Sequence, residues 1–255
     1  MTIRIGIAGI AGRMGRLLAE EVPAAGAVLA GGTLRSGAAP GGAAVLPDFG
    51  ALCGVCDVVI DFTHAEAASR HAAAAAEVGT ALILGSSGLS ADDEAAVAAA
   101  ARRIPVVYAA NFAPAVNLFL AIAERMAAAL PPAQYDAEIV EMHHRQKVDA
   151  PSGTAVALGR AVAAGRGTTL EEAGRESGRD GHCGSRGTGT IGFAALRGGQ
   201  VVGEHTLIFA AGSEHISLTH RSFDRRVYAT GAVRAALWAQ GRAPGLYAMK
   251  DVLGM

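Results

Sequence analysis

Between Glu141 and Thr154 the chain reads Glu-Met-His-His-Arg-Gln-Lys-Val-Asp-Ala-Pro-Ser-Gly-Thr, so His143, His144, Arg145 and Lys147 place four cationic or protonatable side chains within five positions. A histidine titrates near neutrality and donates a proton, and a lysine neutralises or protonates an anionic centre. The Pro151-Ser152-Gly153-Thr154 stretch reads as a helix start whose backbone N–H groups are free to hold a carboxylate. Together these groups suit a doubly negative substrate that must receive a proton, from His143 or from Lys147. Adjacent histidines on a strand point to opposite faces, so His143 and His144 share a site only if the strand ends there. No cysteine or carboxylate stands at a spacing that completes four ligands, and no metal site is expected.

The elements around this stretch fall into two groups. Short apolar runs at Ile3 to Gly9, Ala27 to Ala30, Val58 to Phe62, Ala81 to Leu84 and Val106 to Ala109 alternate with Ala-rich helical stretches such as Glu66 to Val78 and Ala91 to Arg102. Fully apolar strands separated by helices indicate a parallel sheet covered on both faces. Two helix starts are legible: Thr63 with Glu66 as a capping box, and Ser90 ahead of Asp92, Asp93 and Glu94. Asp61 and His64 lie where that strand becomes a helix and serve either the cap or a site above the strand ends.

After residue 113 the pattern changes to a helix from about Val116 to Ala129, a strand from Asp136 to about His143, a helix after Ser152, and strands over Thr190 to Arg197, Gln200 to Ala211 and Glu214 to His220. These predict an α+β domain with a mostly antiparallel four-stranded sheet. Gly174 to Gly189 has almost no apolar residues and reads as a mobile loop. The fold class is therefore α/β, with a Rossmann-like domain of residues 1–113 completed by 224–255, and a second domain of residues 114–223.

Gly9, Gly12 and Gly15 follow the first strand and open the first helix, with Ala11 in the slot that usually holds a second glycine. Glycines there let backbone approach a pyrophosphate while the helix N-terminus meets its charge. Gly85-Ser86-Ser87-Gly88 and Ala109-Ala110-Asn111-Phe112 follow later strands at the edge where doubly wound sheets bind ligands, although each also reads as an ordinary turn.

Composition narrows the function classes. The chain has 255 residues, 51% apolar and 18% charged, and 22 Lys plus Arg oppose 23 Asp plus Glu for a net charge of −1. No basic field draws nucleic acid or anionic lipid, so neither partner is expected. Three cysteines and no charged leader before an apolar run fit a reducing cytoplasm rather than a secreted scaffold. Cys53 and Cys56 have redox-like spacing but precede a strand, and the spacing is read as chance. The uncharged run Ile104 to Ala123 contains Pro105, Asn111, Pro114 and Asn117 and reads as strand, loop and helix rather than a membrane span.

The glycine turn with Arg13-Met14-Gly15, Val59-Ile60-Asp61-Phe62-Thr63, Gly85-Ser86-Ser87-Gly88, Asn111-Phe112 and above all His143 to Thr154 resemble the dihydrodipicolinate reductase family. Thr190-Ile191-Gly192-Phe193, Gly203-Glu204-His205 and Asp251-Val252-Leu253 extend the resemblance over essentially the whole chain. It implies NAD(P)H-dependent reduction of 4-hydroxy-tetrahydrodipicolinate in lysine and diaminopimelate biosynthesis. It also implies His143 as catalytic acid/base, Lys147 as second proton donor, and His144 with the Gly153 and Thr154 amides as holders of a substrate carboxylate. Cofactor contacts are implied at Gly9, Ile10, Ala11, Gly12, Arg13 and Met14, at Gly85, Ser86 and Ser87, and at Ala109, Ala110, Asn111 and Phe112. The second domain is implied to join copies into a homotetramer, which would cover exposed sheet edges. A different dicarboxylate-imine reductase, or an NAD(P)H-sensing protein on the same fold, would share the glycine turn without needing the whole His143 to Thr154 block.

Between Glu21 and Asp48 there is no acidic residue, and Leu34 stands where the family often carries a carboxylate after its second strand. Such an acid accepts the ribose 2′-hydroxyl of NAD and repels the 2′-phosphate of NADP. With Arg35 as the only nearby charge, NADPH is expected to be preferred and NADH still used.

Overall fold

The computed structural model describes residues 2–255, which form two compact units. One comprises the chain up to Pro114 together with Arg226–Met255, and the other Ala115–Arg225.

The first unit holds a six-stranded sheet of β1 (Arg4–Ala8), β2 (Val28–Gly32), β3 (Val58–Asp61), β4 (Ala81–Leu84), β5 (Pro105–Tyr108) and β11 (Gly245–Tyr247). Its order is β11-β5-β4-β3-β1-β2 and every pairing is parallel. Helices α1 (Arg13–Ala24), α8 (Arg226–Ala239) and α9 (Met249–Leu253) supply apolar residues to one core. Helices α2 (Phe49–Gly54), α3 (Ala65–Val78) and α4 (Ala91–Ala101) supply the other. The strands are continuously apolar because alternate residues serve alternate cores: Ile5, Ile7, Val58, Ile60 and Ile83 enter the first, Val59, Leu82, Leu84 and Val106 the second.

The start of α3 differs from the expected capping box. His64 is the residue before the helix and makes no side-chain cap, whereas Thr63 Oγ1 donates to Asp61 Oδ1 at 2.6 Å. Asp61 is fully buried and also accepts from Thr63 N–H and pairs with His71 Nδ1 at 2.7 Å, so its oxygens are spent inside the fold. Ser90 and Asp93 do form a reciprocal capping box on α4. Cys53 on α2 and Cys56 beyond it are both buried, and burial pushes their thiols up to about 11 and about 12, which removes thiolate reactivity.

The second unit is a sheet of β6 (Asp136–His143), β7 (Arg175–Ser177), β8 (Ile191–Arg197), β9 (Gly203–Ala210) and β10 (His215–Ser222) in the order β10-β9-β6-β8-β7. The four expected strands are present, but a short fifth lies inside the stretch read as a loop. The sheet is mixed: β6 pairs antiparallel with β9 and parallel with β8, and β7 adds a second parallel pairing. That stretch is further anchored by Arg186, which bonds Asp136, Glu138 and the carbonyls of Ala137 and Thr190.

Helices α5 (Pro114–Ala129), α6 (Gly153–Gly165) and α7 (Leu170–Ala173) cover one sheet face, burying Phe119, Leu158 and Val162 against Ile139, Phe193, Leu207 and Phe209. The opposite face carries Val140, Met142, Leu196 and Ile208, none of them fully buried. Among the described residues no helix is long and apolar enough to cross a membrane.

Candidate active site

The covered face of the second sheet turns from apolar to polar along its strands. On β6, Ala137 and Ile139 enter the core and Glu141 and His143 follow on the same side; on β8, Ile191 and Phe193 lead to Arg197; on β9, Phe209 and Leu207 lead back to His205. The period of two therefore delivers Glu141, His143, Arg197 and His205 together beside the start of α6.

His143 is 8% exposed and its Nδ1 lies 2.6 Å from Glu141 Oε2. Arg197 forks onto the same carboxylate, each nitrogen 2.8 Å from one oxygen, and Ser152 N–H donates to Oε1 at 3.0 Å. Burial alone would raise the Glu141 carboxyl, but Arg197, His143 and the Ser152 amide together hold it below the usual range. Burial lowers His143, against the opposing pull of Glu141. The His205 ring stands edge-on to His143 with centroids 5.1 Å apart, and burial, reinforced by His143, pushes it down to about 4.

The strand ends at His143, so His144 leaves the alternation and begins the connecting loop. Nδ1 of His144 is buried and has no partner among the described residues. Lys147 Nζ lies 2.8 Å from both oxygens of Asp149, and Arg197 donates to the Asp149 carbonyl, which pins the loop bearing Lys147. Ser152 caps α6 by accepting from Ala155 N–H, and the first-turn amides of Gly153 and Thr154 have no acceptor within the helix. His143, Lys147 and the start of α6 are thus brought together by one strand end, one loop and one helix N-terminus, with His144 next to His143 in the chain.

In the first unit a cavity of about 1100 Å³ opens over the turn between β1 and α1, with Gly9, Ala11, Gly12, Arg13, Met14 and Arg35 in its wall. Gly12 precedes α1 without a side-chain cap, and a Cβ on Gly15 would stand 2.3 Å from the Gly9 carbonyl. These glycines leave backbone bare for an anion at the helix start, so the residues present fit a dinucleotide pyrophosphate. Ile10 is fully buried and its N–H donates to Thr33 C=O, so neither its side chain nor its amide reaches the cavity. Gly85, Ser86 and Ser87 follow β4, and Ala109, Ala110, Asn111 and Phe112 follow β5; none of them lines that cavity. Ser86 Oγ is buried with no partner among the described residues, and Phe112 is core.

The family descriptions Dihydrodipicolinate reductase, N-terminus and Dihydrodipicolinate reductase, C-terminus match residues 3–112 and 115–253. The chain belongs to the dihydrodipicolinate reductase family. It is 65% identical over 257 residues to the 4-hydroxy-tetrahydrodipicolinate reductase of Granulibacter bethesdensis, covering 100% of this chain and 98% of that one. It is 62% identical to the enzyme of the same name from Gluconacetobacter diazotrophicus, over 99% of this chain and 98% of the relative. Its fold is similar to a dipicolinate-bound dihydrodipicolinate reductase from Paenisporosarcina sp. TG-14, with a TM-score of 0.81 over 98% and 99% of the two chains at 22% identity. This member of the dihydrodipicolinate reductase family is an oxidoreductase that depends on a nicotinamide cofactor.

Within this cluster, the sequence alone does not single out Glu141 and Arg197. The signal for Glu141 was its place in the Ala137, Ile139, Glu141, His143 alternation, an acid in the apolar phase of a strand. Arg197 becomes visible only through the β6–β8 register, which sets it beside His143.

Proposed function

We propose that this chain reduces 4-hydroxy-tetrahydrodipicolinate, by way of dihydrodipicolinate, to tetrahydrodipicolinate in diaminopimelate and lysine biosynthesis. The observation that carries the reading is His143, whose Nδ1 is tied to Glu141 while its Nε2 is left for substrate beside a carboxylate-binding helix start.

When bound, reduced nicotinamide supplies the hydride. The chain's own residues do the rest. The Gly153 and Thr154 amides and His144 hold a substrate carboxylate at the positive end of α6. His143 carries a proton on Nε2 and releases it to the substrate as negative charge develops there. Burial lowers His143 and so makes it a readier donor than a solvated histidine. Lys147, fixed by Asp149, is the second donor and offsets the substrate's negative charge.

NADPH is preferred and NADH also used. Arg35 is exposed just beyond β2, makes no ion pair among the described residues, and shares the cavity wall with Thr33 and Ser36. The acids in that wall are Asp48 and Glu66, and Asp48 is occupied in capping α2. Charge-assisted hydrogen bonds to a 2′-phosphate contribute about 1.5–3 kcal/mol. Gly9 and Ala11 to Met14 hold the pyrophosphate, and Gly85 to Ser87 with Ala109 to Asn111 hold the nicotinamide end, Phe112 contributing backbone only because its ring is in the core. The uncovered sheet face, with Val140, Met142, Leu196 and Ile208, joins copies into a homotetramer that acts in the cytoplasm without nucleic-acid or membrane partners.

Complementation tests the reading. A bacterial strain deleted for its own reductase and fed diaminopimelate should grow without the supplement when it expresses this chain. Continued dependence despite accumulation of the folded protein would contradict it.

A further inference from the structure

Glu141 is a carboxylate where the strand pattern calls for an apolar side chain, and its side chain is 1% exposed. Such a group is strongly destabilising unless its oxygens are filled. Here they accept from both terminal nitrogens of Arg197 and from Ser152 N–H, and His143 Nδ1 lies 2.6 Å from Oε2. These partners come from β6, from β8 and from the start of α6. We propose that Glu141, clamped by Arg197, is the positioning residue that fixes the tautomer and orientation of His143 so that Nε2 delivers the proton. This deepens the reductase reading above and rests on it.

An ionised carboxylate is acceptor only. With Arg197 forked across both of its oxygens, Glu141 offers His143 nothing but a lone pair, so Nδ1 must carry the hydrogen. Nε2 is then the nitrogen that gains and loses the exchangeable proton, the same division of labour an acid and histidine show in hydrolytic triads. Gly203 leaves room at that atom, since a Cβ there would lie 3.1 Å from Nε2.

The charged and titratable groups facing His143 are Glu141 on its own strand, Lys147 from the loop, Arg197 from β8 and His205 from β9, with His220 of β10 paired to His205 in register and Asp149 beyond Lys147. Of the two carboxylates, Asp149 is turned to Lys147, so Glu141 is the one that supports the imidazolium. Glu141 works against the downward push of burial. Removing its charge must therefore lower the range over which His143 holds its proton.

The test uses Glu141→Gln in the full-length protein, with Arg197→Lys as a second variant that keeps the charge and loses the fork. Histidine-ring nitrogen NMR should show neutral His143 protonated on Nδ1 in the wild type, and a shift toward the Nε2-protonated form in Glu141→Gln. kcat/KM should fall roughly tenfold to a hundredfold at about pH 8 and less at about pH 6, with KM for reduced cofactor unchanged. In a His143→Gln background the same change should cost nothing further. An unaltered tautomer, a loss independent of pH, or an equal loss in both backgrounds would overturn the proposal. If Glu141→Gln does not fold, Arg197→Lys must show the same tautomer shift in weaker form, and no shift overturns it. The ring spectrum needs no turnover, so an inactive wild type defeats the reductase reading while the spectrum still decides the role of Glu141.

Discussion

Ser152 Oγ and His205 Nε2 lie 2.9 Å apart, so the residue that caps α6 is also hydrogen-bonded to the strand behind the site. His205 is 4% exposed, its Nδ1 has no partner among the described residues, and burial pushes it down to about 4. The unfolded chain protonates this ring near 6.5, so it binds more protons than the folded chain below that pH. The contribution is present above the unfolded value and is lost as pH falls toward the folded one. Denaturant unfolding at about pH 5 should show a loss of about 2 kcal/mol relative to neutrality from this residue. His205→Gln, which keeps a partner for Ser152, should remove most of that dependence. An equally steep decline in the variant would assign the acid sensitivity elsewhere.

His143 and Lys147 should be separable from cofactor binding, since they sit on β6 and its following loop, away from the glycine turn in sequence and in unit. Replacing His143 by Gln or Lys147 by Ala should lower kcat by roughly a hundredfold or more, the scale of a lost general acid. Cofactor affinity, measured by fluorescence titration of reduced nicotinamide, should be nearly unchanged. A double-digit percentage of wild-type kcat in both variants would remove them from the chemistry.

Arg35→Ala tests the reading of the cavity wall. The wild type should prefer NADPH by about tenfold in kcat/KM, and the variant should lose that preference chiefly through weaker NADPH binding. An unchanged ratio between the two cofactors would mean that Arg35 only solvates its glycine-rich loop.

Gly15→Ala probes the turn itself. The added methyl would press on the Gly9 carbonyl and the Ile10 backbone, neither of which is a flexible side-chain tip. Cofactor affinity should drop by roughly tenfold or more as the turn shifts away from the pyrophosphate. Wild-type affinity in a well-folded variant would place the cofactor elsewhere.

Leu196→Asp tests the assembly, because Leu196 is 52% exposed on the sheet face opposite α5, α6 and α7. Sedimentation should show a tetramer in the wild type and smaller species in the variant, since a charge in an apolar interface is strongly unfavourable. Identical sedimentation would move the interface off this face.

The parts legible in the sequence were those governed by local pattern. Strand β6 ends at His143 as its alternation predicts, and the apolar runs of the first sheet fall where a strand buried on both faces must be apolar. Three-residue strands such as β7 and β11 were not legible, because they are too short for a period and are defined only by the neighbour they pair with. The cap of α3 was misplaced because Thr63 spends its hydroxyl on buried Asp61, a partner that exists only in the fold. For the same reason His143 was visible as a type of chemistry, whereas its support was not: Glu141 and Arg197 are 56 positions apart and meet only across paired strands.

The most direct measurement supplies the purified chain with the product of dihydrodipicolinate synthase and follows the absorbance of reduced nicotinamide. The account predicts rapid oxidation of NADPH that requires the synthase product, is slower with NADH, and is abolished to within about a hundredth by His143→Gln. Oxidation that does not depend on that product, or that persists undiminished in His143→Gln, would contradict it.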